Sequence, residues 1–407
     1  MTFAKEALTN PKSPSFIPFN CISKVGTEAE YIEQAYAALH ISGDGMFTRR
    51  CQEILENELG VAKALLTTSC THALELCALL LEVKRGAEVI LPSFTFPSAA
   101  NAFVLRGAKP VFADIRPDTL NLDETRLPEM ITPLTKAIVA VHYAGVGCEM
   151  DRITAVAEQH GIAVVEDNAH GLFGRYRGRR LGSFGRLATQ SFHETKNFSC
   201  GEGGSLLIND PELIERAEII REKGTNRKQF FRGQVDKYTW VDTGSSYLPS
   251  DILAAILYAQ LEVRESFQAK RRAIWETYQR ELADWAAAHD VKLPFVPGHC
   301  EQTHHIFYLV MPDAGSRNAL IEHLGMRRIL AVFHYMPLHL SKMGQRFGGY
   351  AGECPVSEYV SERLLRLPLY SSLSECEQAR VIGAIRQFDF PSMHNARARK
   401  PQVLPFT

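Results

Sequence analysis

Between residues 60 and 220 the chain alternates short apolar runs with helical patterns, and this alternation constrains the fold more than any other feature. Ala64-Leu65-Leu66 precedes a helical stretch from Ala73 to Leu81. Runs follow at Glu88–Leu91, Pro110–Ala113, Ala137–Val141, Ile162–Val165, Ala188–Phe192 and Ser205–Ile208, with helices fitting between several of them, as at Met150–His160. Short strands separated by helices read as an α/β fold, with a largely parallel sheet covered by helices on its faces. Residues 212–223 and 251–283 read as long helices, the second leading into a smaller α/β unit. That unit would hold strands at His305–Val310 and Leu330–Phe333 and helices near 317–327 and 374–387. A chain of 407 residues exceeds what one compact core usually holds. The expected division is a large domain over 1–265 with 1–16 loosely ordered, a small C-terminal domain over 266–390, and a polar tail over 391–407.

Charge and cysteine usage narrow the class of partner. The 45 basic and 46 acidic side chains leave a net charge of -1, so nothing asks for nucleic acid or an anionic membrane as a global partner. No run reaches the roughly 18 apolar residues of a membrane span. The polar start MTFAKEALTNPKSPSF lacks the apolar core of a signal peptide, and the expectation is a cytoplasmic protein. Nine cysteines without a C-x-x-C pair argue against a zinc ribbon and against a disulfide framework.

Four separated features carry chemistry. Thr68-Ser69-Cys70-Thr71 stands where a strand hands over to a helix, and free amides with hydroxyls at a helix start can cradle a phosphate; ordinary N-capping is the plainer reading. Val164-Val165-Glu166-Asp167 is a strand that ends in two carboxylates, with His170 three residues further on. A buried carboxylate there can pair with a protonated ring nitrogen, or simply cap a turn. Ser191-Phe192-His193-Glu194-Thr195-Lys196-Asn197 follows another strand and leads into Gly201-Glu202-Gly203-Gly204. A lysine desolvated in such a turn favours the neutral amine that condenses with a carbonyl, and Ser191 can reach a phosphate. His193-Glu194 begins like the zinc motif H-E-x-x-H, but Asn197 occupies the second histidine's place, and no metal is expected. Pro92-Ser93-Phe94-Thr95-Phe96 sets an aromatic at a strand-to-helix turn, for stacking on a ring or for core packing. The four features converge on one cofactor, pyridoxal 5'-phosphate.

Taken in order, the phosphate cradle, the aromatic, Glu166-Asp167-x-Ala169-His170 and Ser191-Phe192-His193-x-x-Lys196 resemble the DegT/DnrJ/EryC1/StrS sugar aminotransferases, over about residues 17–390. The resemblance implies fold-type I of the pyridoxal-phosphate enzymes and places the cofactor on Lys196, which would also move the proton. Asp167 would face the pyridine nitrogen, His170 the ring hydroxyl, and Phe96 the ring face. Ser69, Cys70, Thr71 and Ser191 would hold the phosphate, although Cys70 stands where relatives carry glycine. The segments Gly43-Asp44-Gly45, Phe47-to-Arg50 and Arg221-to-Trp240 are similar to members that aminate a TDP-linked 4-keto-6-deoxyhexose. This implies TDP-4-keto-6-deoxyglucose as acceptor, glutamate as donor and TDP-4-amino-4,6-dideoxygalactose as product for a cell-surface polysaccharide. Residues 221–237 hold six basic side chains against two acidic ones. The cluster reads equally as a clamp on a diphosphate or as a solvated helix-and-loop face; the resemblance implies the clamp, formed by Arg227, Arg232 and Lys237, with His193 and His334 also facing substrate. Tyr335 and Pro337-Leu338-His339 match a motif that borders the site in relatives. The resemblance also implies a homodimer with shared sites. Leu248 occupies the place of the usual partner-subunit asparagine, which leaves Ser245, Ser246 and Ser250 as the candidates for that contact.

Overall fold

The computed structural model describes residues 15–390. The expectations for 1–14 and for the tail 391–407 lie outside the described residues. Five strands of the large sheet are β1 (Lys63–Thr67), β2 (Glu88–Pro92), β3 (Lys109–Ala113), β4 (Thr135–Val141) and β5 (Ala163–Asp167). After the short pair β6 (Arg175–Tyr176) and β7 (Arg179–Arg180) come β8 (Leu187–Ser191) and β9 (Gly204–Ile208). Their spatial order is β1-β9-β8-β5-β4-β2-β3. The strands from β8 to β3 pair in parallel, while β9 runs antiparallel between β8 and β1. Every residue of β2 and β9 is buried, as a sheet covered on both faces requires. The expected large, mainly parallel sheet is present.

A second sheet, β11 (Phe307–Val310), β13 (Leu364–Leu367) and β12 (Val332–Phe333), is antiparallel throughout. Its core gathers Ile274, Trp275, Tyr278, Leu282, Phe307, Leu320, Leu365 and Ile385, together with Ile17 from the start of the described chain. Ile17 donates its N–H to the Arg328 carbonyl at 2.9 Å, so the N-terminal end is stitched to this unit. The helix Arg264–Ala288 joins the two cores: Phe267 packs in the large unit and Trp275 to Ala286 in the second. Among the described residues no helix is long and apolar enough to cross a membrane.

Several expectations need correction. The single helix expected over 251–283 is two, Asp251–Glu262 and Arg264–Ala288. No glycine or proline marks the break at Val263; instead the Arg264 side chain donates to the Leu261 carbonyl at 3.1 Å and pairs with Glu58. The helix expected over 212–223 spans only Ile214–Arg221 after a 3-10 turn, because Lys223 turns left-handed (φ 64°). The strand expected over Leu330–Phe333 shrinks to its last two residues. The small sheet of β6, β7 and β10 (Cys300–Glu301) was not expected. Its tight turn uses positive φ at both Arg177 (48°) and Gly178 (79°), the pattern of a two-residue hairpin with matched twist.

Candidate active site

The predicted residues meet at the carboxyl ends of the parallel strands, where open α/β sheets bind their ligands. Register brings them together. Ser191 at the end of β8 lies opposite Gly204 of β9, and Gly204 lies opposite Thr67 at the end of β1. The helix Cys70–Leu80 starts there, capped by the Ser69 hydroxyl, which accepts the His72 N–H at 3.1 Å. Gly204 approaches this start so closely that a Cβ would stand 2.4 Å from the Cys70 nitrogen, so only glycine fits. The amides of Cys70 and Thr71 remain without an intrahelical acceptor, as at any helix start. The Thr71 hydroxyl bonds Ser98 at 2.8 Å, and Cys70 Sγ sits 3.5 Å from the Thr189 hydroxyl. Thr189 is the register partner of Asp167, which sets Cys70 beside the carboxylate. Burial and the Asp167 charge raise the Cys70 thiol to about 12, so it stays protonated.

Asp167 is buried at the end of β5. Its Oδ1 accepts the Ala169 N–H at 3.2 Å, and no basic side chain forms an ion pair with it among the described residues. Desolvation raises its pKa, partly opposed by the Ala169 bond and by the charges of Lys196 and His142. Its neighbour Glu166 is fully committed to structure: it accepts the N–H groups of Gly182, Phe184 and Gly185 at 2.7 Å each and meets His142 Nε2 at 2.9 Å. Of the two strand-end carboxylates, Asp167 alone is available.

Lys196 lies in a tight turn held by Phe192 N–H to Gly203 O, Glu194 N–H to Gly201 O, and Lys196 N–H to His193 O. Next to it, Asn197 is pinned from the second unit, donating to Thr303 O at 2.9 Å and Gln268 Oε1 at 3.2 Å, while its Oδ1 meets His305 Nδ1 at 2.8 Å. The Lys196 amine has no hydrogen-bond or ion-pair partner among the described residues, and desolvation lowers its pKa. An unpaired amine desolvated opposite an unpaired buried carboxylate is what a charged ring and a carbonyl would satisfy. The donor set therefore fits pyridoxal phosphate.

Around this centre the expected His170 and His334 stand with His305 and Tyr143, which the sequence did not single out. His170 packs on His305 with ring centroids 4.3 Å apart and stacks at 6.3 Å with His334. Burial lowers all three imidazoles well below their ordinary range, so they stay neutral. Tyr143 bonds His334 through its hydroxyl at 3.1 Å and packs on Phe94 at 5.3 Å. The aromatic motif thus divides: Phe94 is core, whereas Phe96 is 59% exposed, with its ring 6.4 Å from Tyr335. No short motif announces Tyr143 or His305; only the fold brings them in.

The Phe96 loop is clamped from the second unit. Ser93 accepts the Leu338 N–H at its carbonyl (2.8 Å) and the His339 N–H at its hydroxyl (3.2 Å), and that hydroxyl meets His339 Nδ1 at 2.6 Å. His339 Nε2 reaches Glu358 at 3.0 Å. Ser93 and His339 are fully buried, so this Ser–His–Glu row is a clasp and not a nucleophile. Replacing His339 with alanine should lower the unfolding free energy by about 1–3 kcal/mol, because the buried Ser93 hydroxyl keeps the backbone N–H but loses the imidazole, and Glu358 loses it too. An unchanged urea midpoint would contradict the clasp.

The basic segment departs from its expectation. Arg221 is fully buried, bonding Leu66 O and Asp44 at 2.8 Å. Arg227 pairs with Glu222 and Arg232 with Glu218, both at 2.8 Å, and Lys228 reaches Asp44 at 3.2 Å. Asp44 and Glu218 lie outside the segment whose charges were counted, and they neutralise much of its excess. The segment is not a free clamp. Lys223 and Lys237 have no carboxylate partner among the described residues. His193 faces outward, bonded to Thr195 at 2.9 Å and 3.6 Å from Glu202. The Ser250 hydroxyl caps the helix Asp251–Glu262, so it is engaged within its own chain. The 245–250 stretch nevertheless borders the cradle, since Thr68 donates to the Tyr247 carbonyl at 2.9 Å.

Comparison with known proteins gives consistent matches. The profile of the DegT/DnrJ/EryC1/StrS aminotransferase family matches residues 23–386. The uncharacterized protein MJ1066 of Methanocaldococcus jannaschii is 32% identical over 350 residues, 84% of this chain and 90% of that one. The solved aminotransferase TlmJ of Streptoalloteichus hindustanus superposes with a TM-score of 0.84 at 31% identity, covering 91% of this chain and 98% of that one. Spr1654 of Streptococcus pneumoniae, described as a candidate sugar aminotransferase, was solved in PLP and PMP forms. It reaches the same TM-score at 26% identity and the same coverage.

Proposed function

The chain belongs to the DegT/DnrJ/EryC1/StrS aminotransferase family, whose members are pyridoxal-phosphate-dependent, and from that premise we propose that it transfers an amine from glutamate to TDP-4-keto-6-deoxyglucose. The product would be TDP-4-amino-4,6-dideoxygalactose. The observation that carries the transaminase reading is the pairing of Lys196, a desolvated amine without a partner, with Asp167, a buried carboxylate without a cation. When bound, pyridoxal phosphate supplies an aldehyde and an electron-withdrawing ring.

The residues divide the remaining work. Lys196 provides the amine and carries the proton at the substrate carbon. Asp167 keeps the ring nitrogen protonated, and the neutral His170 stands beside the ring hydroxyl. The amides of Cys70 and Thr71, with the hydroxyls of Ser69, Thr71 and Ser191, hold the phosphate. Phe96 covers the exposed ring face. His193 and His334 border the substrate.

The acceptor assignment rests on the likeness of Arg221-to-Trp240 to TDP-sugar enzymes and on the cations of that segment. Lys237 is unpaired, and Arg227 and Arg232 are half exposed and able to exchange a carboxylate for a phosphate. We place the chain in the cytoplasm, where nucleotide sugars are made, and as a homodimer with Ser245 or Ser246 reaching the partner's site. Sedimentation of an active monomer would contradict the dimer. The test of the substrate is NMR assignment of the amino sugar formed from TDP-4-keto-6-deoxyglucose and glutamate. A galacto-configured 4-amine is expected; a gluco-configured amine, or none, would overturn the assignment. Lys237→Ala should raise KM for the TDP-sugar and leave that for glutamate unchanged, since no internal ion pair is lost with it.

A further inference from the structure

Away from the lysine centre, a cavity of about 240 Å³ opens where the two units meet. Pro117, Asp118 and Leu120, on the loop after β3, form its wall on the large unit. The other walls belong to the second unit: Tyr308 and Val310 of β11, with Val356 and Val360 of the helix Pro355–Arg363. Leu120, Tyr308, Val310 and Val360 are buried and make an apolar floor, while Lys292 and Tyr359 stand exposed at the rim. A cavity of about 150 Å³ holds a benzene ring, so this one has room for a ring and a substituent.

The charges around it select for sign. Asp118 is held by a fork from Arg116, Nε to Oδ1 and Nη2 to Oδ2, at 3.0 Å each. Arg116 also reaches Glu124 at 3.1 Å, and Arg152 meets the same carboxylate at 3.2 Å. Those two cations and two anions balance. Arg363, whose guanidinium lies 4.0 Å over the Tyr359 ring, pairs with Glu362 at 3.3 Å. Lys292 is different: among the described residues it has no carboxylate partner, and its ammonium stands 6.0 Å from the Tyr359 ring. Its main chain exchanges two hydrogen bonds with Val310, at 3.0 and 2.9 Å, which fixes the base of the side chain at the cavity. The rim offers one free cation above an apolar floor.

We propose that this cavity is an effector site for a small apolar monocarboxylate, an aromatic or branched-chain acid whose carboxylate meets Lys292. A second carboxylate would find no cation, because the others nearby are already paired. Such a ligand touches both units at once. Val356 lines the cavity and also donates its N–H to Asp114 at 2.9 Å, beside the Ser357 N–H and hydroxyl at 2.8 Å each. The ligand therefore sits against a tie between the units. Tyr308 carries its effect inward: the ring also packs on Tyr143 at 6.0 Å, and Tyr143 bonds His334 at 3.1 Å. Fixing Tyr308 orders the aromatic wall of the lysine centre, so the amino donor meets a prepared site and binds more tightly. The effector role rests on the transaminase reading; the site itself does not.

The test uses the holoenzyme with benzoate as probe, and benzyl alcohol and benzylamine as its neutral and cationic counterparts. Calorimetry should give benzoate a Kd of about 1 mM or tighter, with benzyl alcohol weaker and benzylamine weakest. Lys292→Gln should weaken benzoate by about fivefold, the worth of one exposed charge pair, and leave benzyl alcohol unchanged. Val356→Phe narrows the cavity and should weaken both; if it fails to fold, Lys292→Gln decides alone. The half-reaction with L-glutamate, followed by cofactor absorbance, should reach half-saturation at about fivefold lower glutamate when benzoate is saturating, the low end of couplings between sites.

No benzoate binding, or binding that neither variant weakens, would overturn the site. Benzoate that raises the half-saturation equally in wild type and Lys292→Gln competes at the lysine centre, which overturns it as well. Binding through Lys292 with no change in the half-reaction would overturn the effector role. An enzyme inert toward amino acids that still binds benzoate through Lys292 would instead refute the transaminase reading and leave the site standing.

Discussion

Lys196→Ala is expected to lower transamination by more than about 10³-fold, since it removes both the amine and the proton carrier, and general acid–base catalysis alone contributes about 10²–10⁴. The same variant should be no less stable than the wild type. The Lys196 amine has no hydrogen bond or ion pair to lose, and desolvation disfavours its charge. Turnover assays and urea unfolding on one preparation separate the two effects. A variant that loses activity together with its fold would make Lys196 a structural residue.

Asp167→Asn carries the second large effect. An amide cannot hold a proton on the ring nitrogen, so activity should fall by about 10² or more, the low end of what one positioned proton contributes. Stability of the cofactor-free protein should move the other way. Burial raises the Asp167 pKa in the folded chain, so the folded state binds that proton more tightly than the unfolded state. The ionised form then costs stability at neutral pH, and the cost disappears as pH falls through the folded value. Asparagine removes this penalty, so the cofactor-free variant should unfold at higher urea than wild type at pH 7, with the gap closing in acid. Near-normal turnover, or a less stable cofactor-free variant at pH 7, would reduce Asp167 to a strand cap.

The large sheet was legible because each parallel strand is a short apolar run that ends in polar or turn residues, as at Val164-to-Asp167 and Ala188-to-Ser191. The residues proposed to hold the cofactor stood out for the same reason: each sits within a few positions of a strand's carboxyl end, so local pattern and local chemistry coincide. What escaped depends on contacts between distant parts of the chain. Asn197 looked like a failed zinc ligand, yet it ties the lysine turn to Thr303 and His305. His339 was read only through its motif, and its partners Ser93 and Glu358 come from two other elements. The basic segment misled because charge was counted along the chain, whereas Asp44 and Glu218 reach it through space. The break at Val263 carries no glycine or proline, so nothing local could mark it.

The central claim, that Lys196 is where the cofactor joins the chain, is tested most directly by reducing the holoenzyme with borohydride and mapping the pyridoxyl group by mass spectrometry. The group is expected on Lys196 alone. Its appearance on any other lysine, or its absence from a protein that transaminates, would contradict the account.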